Sequence, residues 1–447
     1  MEIAVQIAQL LVSLSLLIIC HEFGHFITAK MFKCEVDKFY LFFNPWFELF
    51  KVKRGETEYG VGWIPLGGYV HIVGMIDETT NAEDLEKIKH IPEDRWFSNK
   101  PAWQRLIVML AGVIVNAILA MFIYAMVAFC WGSSYLPVDN LKYGVAVDSL
   151  GYSFGLRDGD MIKSVNGKPA DDFAKVFTDL LLDDPKTLTV SRNGQDTTIT
   201  FTDEMVSKLL DPDLGGLPFS PRYPFVVTGF AEGKESAGQK AGLMEGDSLL
   251  TFNGQACAFY SDVRKQLVAN KGKEATISFM RNGQVDSVTL AIPEDGMLGV
   301  YVKSYADFLE YKTIEYGFFE SFPVGISKGV NKISEYLKQF KLIFNPDTKA
   351  YKSVGSFITM TKIFPERWNW YAFWNLTAFF SIILAVMNVL PIPALDGGHA
   401  MFAFFEMVTG KQLSLKFLER AQIVGMIILL ALMAFAIGND LIRHVFN

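Results

Sequence analysis

The chain has 447 residues, 51% of them hydrophobic and 38 of them Phe, with a net charge of −7 at pH 7. The acidic balance and the lack of a basic stripe argue against nucleic acid as a partner. The four scattered cysteines (Cys20, Cys34, Cys130, Cys257) describe neither a disulfide scaffold nor a cysteine metal site. So long and apolar a chain fits membrane helices joined to water-soluble domains.

Taken in chain order, the first element is an apolar run from Ile3 to about Thr28. Glu2 stands where a signal peptide has basic residues, and no small-residue cleavage site follows, so the run reads as a retained membrane helix. It carries His21-Glu22-Phe23-Gly24-His25 near its end. HExxH on a helix sets two imidazoles one turn apart with a glutamate beside them, the arrangement of a zinc hydrolase. Three ionisable side chains inside a bilayer-length segment are expensive, which points to function.

Residues 31–104 form a loop whose stretch 57–73 reads as two strands around a Pro/Gly turn, a β-hairpin. A second span follows at 106–131, within a segment 105–132. It contains Gly112-x-x-x-Asn116, a spacing compatible with close helix packing. The next 240 or so residues hold an internal repeat: Gly155 to Gly167 realigns with Gly242 to Gly254, and Arg192-Asn193-Gly194-Gln195 with Arg281-Asn282-Gly283-Gln284. Each Asn-Gly pair lies between alternating strand-forming runs, a tight-hairpin signal. The Gly-Leu-x-x-Gly-Asp stretches resemble PDZ domains, expected at 140–220 and 221–305, mainly β with some helix. They serve as a rigid cap, a size filter or a peptide-sensing groove.

The segment 306–371 is an amphipathic linker. Its residues 317–344 have helical spacing, suited either to the outer leaflet or to packing against soluble domains. The third span covers 372–395 within a segment 372–398, and the fourth 421–437 within 421–440, joined by a loop at 399–420. Lys and Arg concentrate between spans 1 and 2 and between spans 3 and 4, which places those loops in the cytoplasm and the repeats outside. Trp368, Trp370, Tyr371 and Trp374 form an interfacial belt at the outer start of span 3.

A catalytic zinc needs a third protein ligand and an open position. Asp396, in Asn388-Val389-Leu390-Pro391-Ile392-Pro393-Ala394-Leu395-Asp396-Gly397-Gly398-His399, is the candidate. Spans 1 and 3 cross in the same direction, and His21 lies about 27 Å of helix into span 1. Asp396 lies at a similar depth, near the cytoplasmic side. Pro391 and Pro393 should break span 3 just before it, tolerable at that depth only where backbone is buried or lines a wet cavity. The alternative is a kinked helix ending with an Asp cap. Asn388 suits a donor to the substrate backbone or oxyanion, or a helix-packing role. His399 suits a supporting group or a polar residue at the cytoplasmic edge.

HEFGH in span 1, LeuAspGlyGlyHis closing span 3 and the PDZ-like pair between spans 2 and 3 resemble the site-2 protease family of intramembrane zinc metalloproteases. Within it the likeness is to the bacterial regulator-of-sigma-E type, and it covers essentially the whole chain. The resemblance implies a polytopic α-helical membrane protein with four transmembrane helices, a membrane-associated β-hairpin and two extracytoplasmic PDZ-like domains. It implies zinc held by His21, His25 and Asp396, and Glu22 as general acid and base. It implies residence in the bacterial inner membrane and cleavage of single-span proteins of the anti-sigma-factor type, in regulated intramembrane proteolysis of an envelope stress response. Remnant signal peptides are a further substrate class. In the family the Gly-rich hairpin pairs with the substrate, which makes Gly67, Gly68 and Tyr69, together with Asn388, Pro391 and Pro393, substrate-contact candidates. The bland reading of 57–73 is an ordinary hairpin of a cytoplasmic subdomain. His71 departs from the pattern, which has a basic residue there. Two competing readings are an inactive membrane scaffold that binds partners through its PDZ-like pair, and a soluble-type zinc protease tethered beside the membrane.

Overall fold

Among the described residues, four helices are long and apolar enough to cross a membrane: Glu2–Met31, Ala102–Trp131, Trp370–Val389 and Lys416–Leu441. The computed structural model describes residues 2–75, 91–211, 217–231 and 236–442. It divides into two units. One comprises Met1–Ser133, Glu315–Phe344 and Tyr351–Asn447, the other Ser134–Ile314 and Asn345–Ala350.

The helical unit begins with α1 (Glu2–Met31). Its Gln6, Gln9 and Ser13 are buried. Gln6 Nε2 donates to the Phe364 carbonyl at 2.7 Å, Gln9 Nε2 to the Pro365 carbonyl at 2.8 Å, and Thr377 Oγ1 to Ser13 Oγ at 3.0 Å. Polar groups at membrane depth have to find such partners within the protein.

A four-stranded sheet follows: β1 (Val36–Phe43), β2 (Phe50–Arg54), β3 (Thr57–Val61) and β4 (Ile64–Ile72), in the order β2-β3-β1-β4. This corrects the expected hairpin at 57–73. The two strands exist, but β1 lies between them, parallel to β3 and antiparallel to β4. The backbone of β1 turns at Phe42 (φ 68), and Gly62 N and Trp63 N donate to the Leu41 and Phe43 carbonyls. The short link therefore wraps the end of β1 and delivers β4 to its far side. The hairpin partner of β3 is β2, around Gly55 and Glu56. As a result β4 is an edge strand among the described residues.

After α2 (Ala102–Trp131) the chain enters the repeat unit. The first copy contains β5 (Met161–Val165), β6 (Lys168–Pro169), α3 (Phe173–Leu182), β7 (Thr187–Arg192) and β8 (Gln195–Thr200). The second contains β9 (Ser248–Phe252), β10 (Gln255–Ala256), α4 (Tyr260–Ala269), β11 (Glu274–Arg281) and β12 (Gln284–Ala291). Their sheets run β6-β5-β7-β8 and β10-β9-β11-β12, so the sequence repeat is a repeat of topology. The Asn-Gly turns close the hairpins as expected, with φ of 51 at both Asn193 and Asn282 and positive φ at the following glycines. Each copy also joins its Gly-Asp motif to its Arg-Asn-Gly motif. Arg192 Nε and Nη2 donate to both Asp160 oxygens at 2.8 and 2.7 Å, and Arg281 does the same to Asp247 at 2.7 and 2.7 Å.

Back in the helical unit, α5 (Phe318–Ile343) packs one face on α2 and on α6 (Trp370–Val389). Phe322 and Phe318 meet Phe122 and Phe129, and Lys328 Nζ donates to Asn375 Oδ1 at 2.9 Å. Ile326, Val330 and Leu337 stay exposed on another face. Helix α6 ends at Val389, where the two prolines break it as expected, and α7 (Asp396–Thr409) starts anew. The expected loop at 399–420 is thus helical through Thr409. Its small residues Ala400 and Ala403 are buried, and Arg105 Nη2 from α2 meets Glu406 Oε1 at 2.5 Å. Gly410 in left-handed conformation (φ 69) ends the helix. The last helix is α8 (Leu415–Leu441). Its buried Asp440 accepts from Ser356 N, Ser356 Oγ, Thr359 N and Thr359 Oγ1.

Candidate metal centre

His21 and His25 lie one turn apart on α1 and face the first residue of α7. The break between α6 and α7 makes this possible: Ile392 N donates to the Leu390 carbonyl at 2.7 Å and Leu395 N to Ile392 at 2.8 Å, folding the chain back so that Asp396 opens the new helix. His21 Nε2 is 3.0 Å from Asp396 Oδ2, His25 Nε2 is 3.3 Å from the same oxygen, and the two Nε2 atoms are 3.2 Å apart. Among the described residues these three are the group of His, Cys, Asp and Glu side chains able to hold one metal ion.

The donor set fits zinc. Zinc bonds of roughly 2.0–2.1 Å in tetrahedral geometry separate neighbouring ligand atoms by about 3.3 Å. His25 Nδ1 lies 2.8 Å from the Val108 carbonyl, which can only accept a proton. Nδ1 therefore carries the hydrogen, and Nε2 presents a lone pair. Asp396 Oδ2 is buried without a hydrogen-bond donor. Lone pairs gathered this closely in a buried place repel unless a cation sits among them. Room for the rings comes from α2, where a Cβ at Gly112 would lie 2.7 Å from His21 Cε1 and collide with His25 Nε2.

A cavity of about 190 Å³ adjoins this cluster, lined among others by Glu22, Gly68, Tyr69 and His399. Glu22 Cγ comes within 3.4 Å of the position a Cβ would take on Gly68, so the β4 backbone passes directly beside the carboxylate arm. Tyr69 donates to Asn44 Oδ1 at 3.0 Å, and burial pushes its phenol up, so it stays neutral. Asn388 Nδ2 lies 3.3 Å from His21 Nε2.

The structure thus brings together His21, Glu22, His25, Asp396, Asn388, Gly68 and Tyr69. Gly67 faces the Phe43 ring instead, and Pro391 and Pro393 act through the helix break and are not among the residues lining the cavity. His71 is buried with Nδ1 2.5 Å from Asp37 Oδ1, also off the cavity lining. One group escaped the sequence reading: the Val108 carbonyl carries no side-chain signal. Asn116, singled out in Gly112-x-x-x-Asn116 with helix packing as an equal alternative, has Nδ2 3.4 Å from His21 Nδ1.

Comparison with known proteins finds relatives over nearly the whole chain. The model of peptidase family M50 matches residues 9–432. The regulator of sigma-E protease RseP of Escherichia coli (strain K12) is 29% identical, with 98% of each chain covered. Protease RseP of Yersinia pestis is also 29% identical, over 99% of this chain and 100% of its own. A Vibrio cholerae protein whose name marks it as a candidate zinc metalloprotease is 28% identical over 97% of both chains.

Proposed function

The chain belongs to peptidase family M50 and is a zinc metalloprotease, and from that premise we propose that it cuts single-span membrane proteins within the bilayer. The observation that carries this reading is the meeting of His21 and His25, beside Glu22 on a helix of membrane-spanning length, with Asp396 just past the end of another.

His21, His25 and Asp396 hold the metal. When bound, zinc polarises the scissile carbonyl and makes water acidic enough to lose a proton near neutral pH. Glu22, which is not a ligand, takes the proton from the attacking water and delivers it to the leaving amide nitrogen. Asn388 donates from Nδ2 to the substrate carbonyl oxygen as charge develops there. A substrate helix hides its carbonyls in its own hydrogen bonds, so it must be unwound and held. Among the described strands β4 pairs with β1 and lies at the sheet edge beside Glu22, and strand addition along its free side there holds the substrate extended. Gly68 keeps that approach open, with Tyr69 next to it. The sheet rests on the membrane surface through the exposed ring stack of Trp46, Phe47 and Trp63.

The distribution of Lys and Arg puts this centre near the cytoplasmic side of the inner membrane. The same rule puts the repeats, as PDZ-like domains, in the periplasm. There they restrict the active site to substrates whose outer domain has already been shortened. Anti-sigma factors of an envelope stress response, and remnant signal peptides, fit that requirement. An inactive scaffold has no use for an intact set of His21, Glu22, His25 and Asp396. Glu22→Gln tests the mechanism: cleavage of a single-span reporter should fall by about 10²–10⁴-fold with zinc content unchanged. Undiminished cleavage in that variant sinks the mechanism, and efficient cleavage of a soluble unfolded protein by the parent favours the tethered soluble-type reading.

A further inference from the structure

The two zinc-binding histidines meet different surroundings on their outward nitrogens, and the difference concerns Asn116. His25 Nδ1 has an unambiguous acceptor in the Val108 carbonyl at 2.8 Å. His21 needs the same tautomer, because its Nε2 is the atom turned to Asp396 Oδ2 and to His25 Nε2. Its Nδ1 then carries a hydrogen and requires an acceptor. The atom beside it, at 3.4 Å, is Asn116 Nδ2, a donor. Asn116 Oδ1, meanwhile, is buried without a hydrogen-bond partner. A half-turn of the carboxamide exchanges the two atoms and satisfies both needs at once. The opposite setting pairs only with a proton on His21 Nε2, the atom the metal requires bare.

The rest of the environment holds the side chain for this task. Asn116 is 0% exposed, and its backbone carbonyl accepts from Ser381 Oγ on α6 at 2.7 Å. Gly112, one turn earlier on α2, admits the imidazoles. An amide in the middle of an apolar span serves simple packing poorly, since its oxygen goes unpaired at a cost of about 1–3 kcal/mol.

We infer that Asn116 is a positioning residue of the metal centre: Oδ1 accepts the Nδ1 hydrogen of His21 and so fixes the tautomer and ring angle that turn Nε2 to zinc. The inference rests on the zinc reading given above. It gives α2 a second hydrogen-bonding role at the centre beside that of the Val108 carbonyl, through a side chain that never touches metal or substrate.

The test uses the full chain in detergent micelles and measures zinc affinity by competition with a chromophoric chelator, together with the visible spectrum of the cobalt(II) form. Asn116→Leu keeps the volume and removes the acceptor, and should weaken zinc about 10–100-fold, the usual cost of losing such a partner. Asn116→Asp keeps an acceptor and should bind zinc at least as tightly as the parent, with the parent's cobalt spectrum. Zinc affinity unchanged in Asn116→Leu, or Asn116→Asp as weak as Asn116→Leu, overturns the inference. If the Leu variant does not fold, the Asp variant decides alone: zinc bound about tenfold more weakly than in the parent overturns it. A parent that takes up no zinc overturns the metal reading itself, an outcome distinct from a zinc-binding parent beside an unaffected Leu variant.

Discussion

The repeat unit and the helical unit treat buried carboxylates in opposite ways. Asp160 and Asp247 are at most 1% exposed, and each is saturated by a bidentate arginine that also reaches a neighbouring glycine carbonyl. Both copies of the repeat carry the same device, which closes the sheet onto its Gly-Asp loop. Asp440 in the helical unit is likewise saturated, by two backbone and two hydroxyl donors. Asp396 differs from all three: its Oδ2 is buried without a donor and faces two imidazole nitrogens. A saturated carboxylate holds a fold together. One kept short of donors beside two imidazoles is suited to a cation.

The sharpest way to break that comparison is Asp396→Asn. It should remove zinc and proteolysis to background while leaving hydrogen-exchange protection of the repeats as it was. Metal analysis and exchange mass spectrometry on the same sample would show it, and retained zinc would put Asp396 with the structural carboxylates. Next in size is Arg192→Met, which strands the Asp160 charge. Breaking a buried pair in this way costs about 3–5 kcal/mol, read as lost exchange protection across residues 161–200, with zinc content unchanged. Loss of zinc in that variant would mean that the two units are not independent in this respect.

The smallest effect concerns Asp158, which joins the two copies through Lys265 at 2.8 Å. Lys265 is 46% exposed, so Lys265→Met should cost less than about 1 kcal/mol. Burial opposes ionisation of Asp158, but hydrogen bonds from Lys265 and Tyr152 outweigh it and hold the carboxyl below its ordinary value. Its share of stability is therefore present above the unfolded pKa of about 3.9 and is lost as pH falls through the lower folded value. Exchange protection around Asp158 should weaken with acidification in the parent and respond less in Lys265→Met. Equal acid sensitivity in both would remove the pair from the account.

Much of the candidate metal centre's geometry was legible because its signals are local. HEFGH needs only the helical period to bring its imidazoles together, and Pro391 and Pro393 announce the break that frees Asp396. The repeats were legible because two distant stretches share spacing, and the Asn-Gly turns have a conformation of their own. The strand order of the sheet was not. Gly62-Trp63 reads as a hairpin turn, and nothing local reveals that β1 will occupy the place between β3 and β4. Helix α7 was hidden for a similar reason: behind a Pro-x-Pro break its first residues looked like the end of a span. Asn116 looked like packing because a hydrogen bond across helices leaves no periodic trace.

The glutamines of α1 reach further than their own hydrogen bonds. Gln9 lies about 18 Å up the helix from His21, and with Gln6 it grips the Phe364 and Pro365 carbonyls. A smooth apolar helix in lipid is free to spin about its long axis, and one residue of spin is about 100°. Pinned at one end by these amides, α1 works as a clocked shaft: the azimuth set at Gln6 and Gln9 is the azimuth at which His21 and His25 arrive at Asp396.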